Sequence, residues 1–244
     1  MLIYLTNSFN TVPMKKHVLI SLAACLLSLF SCKETEEVIP DPVEDLEIYD
    51  VVSFNKVVAG TLLSAVTSDS GLVIPMTSFN SISPDKPVAA MVFNSSLPHW
   101  EDVDLGTPNQ KFGGKGKGKG GESGNFINNT ALGNIVVLQN FKQFGTVPND
   151  DDGPGYITFD FSRVNGGIKA TSLTVLDVET AREKETGDVK LYTRKGGTLL
   201  YTATFQDTEA NGVGIVDLKN TPGVGYLEVN INGSIAIDNL RFYK

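Results

Sequence analysis

Tyr156-Ile157-Thr158-Phe159-Asp160-Phe161 and Leu173-Thr174-Val175-Leu176-Asp177-Val178-Glu179 both alternate apolar and polar residues. In an extended chain successive side chains point to opposite faces, so each run lays down one apolar and one polar face, the pattern of a half-buried strand. Around them stand further short apolar or alternating runs at 48–54, 71–74, 89–93, 134–138, 168–178, 189–194, 198–205, 212–218, 225–231 and 234–242, separated by Gly, Pro, Asn and Asp. No stretch of the body repeats apolar residues at helical spacing. The expectation is an all-β body, 48–244, in which two sheets pack face to face.

One stretch, 95–133, carries no strand pattern and places seven glycines between Gly113 and Gly124. A connection this long in a compact domain is usually functional or disordered. Within it Lys115, Lys117 and Lys119 alternate with glycines. A phosphate loop would need Ser or Thr after the lysine and a strand-to-helix setting, so the run reads as a flexible cationic hairpin or loop able to touch acidic polysaccharide.

The N-terminal part has a different composition. Met1 to Pro13 hold no charge, whereas Met14-Lys15-Lys16-His17 opens a basic segment, followed by thirteen apolar-rich residues from Val18 to Phe30 and then Ser31-Cys32. That order is the order of a secretory signal, with Met14 as the expected natural start. Thirteen residues are too few to span a bilayer, which needs about 20. Leu29-Phe30-Ser31-Cys32 resembles a lipobox, and Lys33-Glu34-Thr35-Glu36-Glu37 resembles the surface-export signal that follows the lipid cysteine in Bacteroidetes lipoproteins. Choosing the upstream Leu22-Ala23-Ala24-Cys25 would shorten the apolar stretch to seven residues. The expected organisation is therefore a signal at 1–31, lipidation at Cys32, an acidic tether over 32–47 and a β-domain at 48–244. The implied location is the outer membrane, lipid-anchored and facing the cell surface.

With 1–31 removed and Cys32 acylated, no thiol remains for a disulfide, a catalyst or a metal site. Removal also takes Lys15 and Lys16 and no acid, leaving 18 basic and 28 acidic residues and a formal charge of −10. Such a balance disfavours nucleic acid as a partner, because neutralising phosphates needs a basic face.

Ala90-Met91-Val92-Phe93, Asp104-Leu105-Gly106-Thr107-Pro108-Asn109, Phe112-Gly113-Gly114, Ala131-Leu132-Gly133-Asn134, the 156–161 run and Leu176-Asp177-Val178-Glu179 follow one another in an order that carries a resemblance. Together they resemble a jelly-roll module of secreted bacterial proteins, similar to galactose-binding-like and carbohydrate-binding domains. The resemblance spans nearly the whole body and implies a two-sheet antiparallel jelly-roll sandwich. It implies little about activity, since one fold hosts many functions. Ile235-Ala236-Ile237-Asp238-Asn239-Leu240 resembles the closing strand of carbohydrate-binding jelly rolls, in which the aspartate helps hold a structural calcium. The resemblance would place Asp238 beside Asp50 and Asn55 of the first strand region.

Calcium takes six to eight oxygens, and acids here gather at loop and strand ends. Asp102 and Asp104, and Asp177 and Glu179, are each spaced i, i+2 and could present two carboxylates to one side. With Asp238 they make up the candidate calcium ligands. The competing reading is that these acids cap turns and face water, and Asp150 to Asp152, within Asn-Asp-Asp-Asp-Gly-Pro-Gly, are read that way. For a glycan, His99, Trp100 and Glu101 combine an aromatic face with hydrogen-bonding groups. A lone tryptophan is more often buried than stacked on a ligand. Catalysis has little support, since His99 is the one histidine after the signal and no Gly-x-Ser-x-Gly elbow occurs. The expected function is binding or adhesion, to glycan or to a surface protein, with a structural calcium; a structural assembly protein and a carbohydrate-active enzyme are the alternatives.

Overall fold

The computed structural model describes residues 47–112, 114, 116–121, 127–150 and 153–244, so Cys32, Lys115, the signal-like segment and nearly all of the tether lie outside the described residues. Twelve strands make up the fold: β1 (Tyr49–Val52), β2 (Ala65–Thr67), β3 (Val73–Asn80), β4 (Ala90–Asn94), β5 (Asn134–Leu138), β6 (Pro154–Asp160), β7 (Ile168–Leu176), β8 (Thr186–Tyr192), β9 (Leu199–Thr204), β10 (Val213–Val224), β11 (Tyr226–Asn232) and β12 (Ala236–Tyr243). One sheet runs β10-β7-β12-β5-β4, with β1 also paired to β12, and the other runs β2-β3-β6-β11-β8-β9. Every pairing is antiparallel. The protein is a two-sheet antiparallel β-sandwich.

Alternation explains which side chains meet between the sheets. Ile157 and Phe159 of β6, Leu227, Val229 and Ile231 of β11, and Val189 and Leu191 of β8 project inward from one sheet; Val136 and Leu138 of β5, Leu173 and Val175 of β7, and Leu240 and Phe242 of β12 project inward from the other. Burying each such side chain contributes roughly 1.5–3 kcal/mol. The polar positions between them reach water or pair across strands, as Thr158 does with Thr77 at 2.6 Å.

The first sheet, however, is not half-exposed. Residues 173–179 are all buried, although the alternation of that run predicts an exposed face. The 95–133 segment supplies the reason: its Leu105 and Leu132 form a second apolar cluster with Phe93, Ile135, Val137, Leu176 and Ala236. These partners occupy the side chain positions of β4, β5, β7 and β12 that alternate with the inward ones. The long segment thus acts as a third layer over the outer face of this sheet.

Other differences from the sequence expectation are local. The strand expected at 71–74 begins later and runs to Asn80 through Pro75, which sits opposite Ala65 on the short strand β2. β10 continues to Val224 through two register shifts, with Lys219 and Asn220 at positive φ, where Lys-Asn-Thr-Pro-Gly reads as a turn. A one-turn helix, α1 (Phe141–Phe144), follows β5, capped by Asn140 Oδ1 accepting from the Gln143 amide at 3.1 Å.

Candidate functional site

The third layer is stapled at both ends. Ser95 Oγ lies 2.5 Å from Thr107 Oγ1 and donates to the Gly133 carbonyl at 2.7 Å, while Thr107 Oγ1 accepts from the Leu132 amide at 2.9 Å. Three buried asparagines continue the anchoring. Asn109 Nδ2 donates to Asn211 Oδ1 at 2.7 Å, Asn128 Nδ2 to the Gly106 carbonyl at 2.9 Å, and Asn211 Nδ2 to the Gly106 carbonyl at 2.8 Å. Asn211 sits at φ 61°, a conformation that asparagine tolerates better than most residues.

The Gly-Lys alternation has a packing reason. Gly116 and Gly118 are buried while Lys117 and Lys119 are exposed. A Cβ at Gly116 would collide with the Pro108 backbone, and one at Gly118 with the Gly106 carbonyl and the Asn211 amide. These glycines are therefore close-approach positions of an anchored segment rather than the joints of a free hairpin.

Carboxylates gather where this layer meets the loops after α1 and β7. Asp102 is 5% exposed; its Oδ1 accepts from Asn149 Nδ2 at 2.8 Å, and its Oδ2 has no donor. Asp150, next in the chain to Asn149, is buried too and acts electrostatically on Asp102. Burial, aided by the charges of Asp104 and Glu101, pushes the Asp102 carboxyl up to about 7. Asp150 is held well above the usual carboxylate range, chiefly by burial and then by Asp102, Asp177 and Asp104. Asp177, at φ 68° just beyond β7, is likewise raised by burial and by Asp104, although the Asn211 amide donates to it. Asp104 is raised mainly by burial. Among the described residues, no set of three His, Cys, Asp or Glu side chains is grouped as the ligands of one ion.

The expected calcium set is therefore partly joined and partly separated. Asp104 acts on Asp102, Asp177 and Glu179, and Asp150 joins them as a buried residue, contrary to its reading as a solvated turn. Glu179 faces Arg182, whose Nη2 stands 2.9 Å from its carboxylate. Glu185, which the sequence did not single out, accepts from the amides of Glu179 at 2.9 Å and Ser234 at 2.8 Å. Asp238 stands elsewhere on β12, 1% exposed, its Oδ2 accepting from Asn239 Nδ2 at 2.6 Å and its Oδ1 without a donor.

Asp50 is not its partner: it pairs in register with Phe242 and is held by the Val51 and Ser70 amides, the Ser68 hydroxyl at 2.6 Å and Lys244 Nζ at 3.2 Å. Asn55 Oδ1 accepts from the Asn134 amide at 2.8 Å. Asp238 nevertheless stands beside the first strand region, whose Phe54 backbone acts on its carboxyl.

Two residues before Asp102, Trp100 is 72% exposed. Its ring lies 5.3 Å from that of His99, which stands edge-on to Phe144 of α1 at 5.6 Å. Glu101 is exposed beside them, as are Leu97 and Val147. A separate cleft of about 290 Å³ opens among residues that include Glu179, Ala181, Arg182, Asp207, Glu209 and Ala210. No protein-family model matches the chain, and neither does any curated protein sequence.

Proposed function

We propose that the protein is a lipid-anchored surface module that binds glycan on the Trp100 face, with calcium as a structural aid. The observation that carries this reading is the exposure of Trp100: an indole is costly to leave in water, and here it is 72% exposed beside His99, which in turn stands edge-on to Phe144. Sugar rings present apolar C–H faces that stack on such a surface, while Glu101 and His99 supply hydrogen-bonding groups at its edge. The resemblance to carbohydrate-binding jelly rolls points the same way.

An array of purified glycans probed with the wild type and with Trp100→Ala tests this. The expected result is binding to a subset of glycans, weakened at least about tenfold by the substitution, a loss of roughly 1.4 kcal/mol. Exposed Leu97 and Val147 extend the apolar surface and favour a protein partner as the second reading. An array without any bound glycan would leave that second reading in its place.

A further inference from the structure

We infer that Asp102 and Asp150 are the two carboxylate ligands of a divalent-cation site of the calcium type, with Asp104 and Asp177 adding negative charge around it. The inference rests on the calcium part of the proposed function and is independent of the glycan. Two observations support it besides the gathering of acids. Asp102 is 5% exposed, and its Oδ2 meets no partner, while Asp150 follows directly on the Asn149 that bonds its Oδ1. Two buried carboxylates facing each other repel unless something positive stands between them. Arg182, the cation acting on Asp104 and Glu179, is itself exposed and is occupied by Glu179 and Glu183, each at 2.9 Å.

The site is also built rather than incidental. Gln139, fully buried, donates to the Val147 carbonyl at 2.7 Å and accepts from the Asn149 amide at 3.0 Å, which fixes the segment that carries Asp150. Asp102 comes from the 95–133 layer, its amide donating to the His99 carbonyl at 3.1 Å. A shared proton would satisfy one oxygen of the pair, whereas a hard cation engages several oxygens and draws further ones from backbone, amide and water. With two direct carboxylates, a set of three acids around one ion is not required. The cation would tie the Trp100 segment to the loop after α1, two segments joined there by the Asn149 to Asp102 bond.

The test is thermal melting of the purified protein in calcium, magnesium and chelator, together with terbium luminescence excited through Trp100. Calcium at about a hundred times its dissociation constant should raise the melting temperature by roughly 5–10 °C. Magnesium, which demands tighter octahedral geometry, should do less. Asp150→Asn and Asp102→Asn should abolish the calcium shift and the terbium signal. In chelator they should melt at or above the wild type, because each removes a repulsive charge. Glu179→Gln should keep the shift. Equal melting of the wild type in calcium and chelator without terbium luminescence, or a calcium shift that survives Asp150→Asn, would overturn the inference. A calcium shift alongside an empty glycan array would remove only the glycan reading.

Discussion

Asn149 Nδ2 donates to Asp102 Oδ1 across 2.8 Å, a bond between residues 47 positions apart, both 5% exposed or less. The amide satisfies one oxygen of the Asp102 carboxylate and leaves Oδ2 without a partner.

Replacing Asn149 by Ala therefore strips a buried carboxylate of its hydrogen bond. The expected cost is about 1–3 kcal/mol, read as a lower denaturant midpoint. If the cation site exists, saturating calcium should recover part of that loss. A variant as stable as the wild type would mean that water replaces the amide.

The pH dependence has components of opposite sign, of which Asp238 and Asp50 are one each. Burial holds the Asp238 carboxyl up at about 7 against the Asn239 amide and the Arg241 charge. A folded-state value above the ordinary 3.8 makes ionisation unfavourable to the fold, so this group removes stability as pH rises from about 4 toward 7. Asp238→Asn should make the melting profile less steep across that window, the remaining slope coming from Asp102 and its neighbours. Burial would raise Asp50 too, but the Ser68 and Ser70 hydroxyls and two backbone amides outweigh it and hold it at about 2. Its contribution is present above about 4 and is lost as pH falls through 2, so Asp50→Asn should narrow the acid limb of the same profile.

Leu105 is fully buried in the outer cluster and joins the 95–133 layer to the sheet. Leu105→Ala should cost about 2–5 kcal/mol by opening a cavity. Amide exchange should accelerate within 95–133 far more than in β6 and β11, because the core between the sheets is untouched. Uniform acceleration would mean that the outer layer is part of one cooperative unit with the sandwich.

The proposed anchoring rests on the sequence around Cys32. Cys32→Ala should move the protein from the membrane fraction to a soluble or unprocessed form, since stable membrane attachment requires the acyl chains. A processed Cys32→Ala protein that stays with the membrane would sink the lipoprotein reading.

Alternation made the strands legible: Asn134–Leu138 appears with the expected bounds, and β6, β11 and β12 shift by no more than about two residues. The periodicity of two is a local property of the backbone, so it survives in the sequence alone. Where a strand passes through Pro75, or through the left-handed Lys219 and Asn220, the same local rules point to a turn, and only pairing with a neighbour carries the strand on. Asp102, Asp104 and Asp177 could be picked out because short spacings at strand and loop ends are visible in a sequence.

Asp150 could not. Its Asn-Asp-Asp-Asp-Gly-Pro-Gly setting is that of any solvated turn, and its burial depends on Gln139 and Asn149 holding that turn against a residue 48 positions earlier. The exposure of Trp100 was equally beyond reach, since it depends on Leu105 and Leu132, rather than the indole, filling the outer face of the sheet. By itself the sequence determined the class of the fold, because side-chain alternation is written into each strand one residue at a time. The tertiary structure decided which acids meet and which aromatic faces water, because burial is set by segments far apart in the chain competing for the same surface.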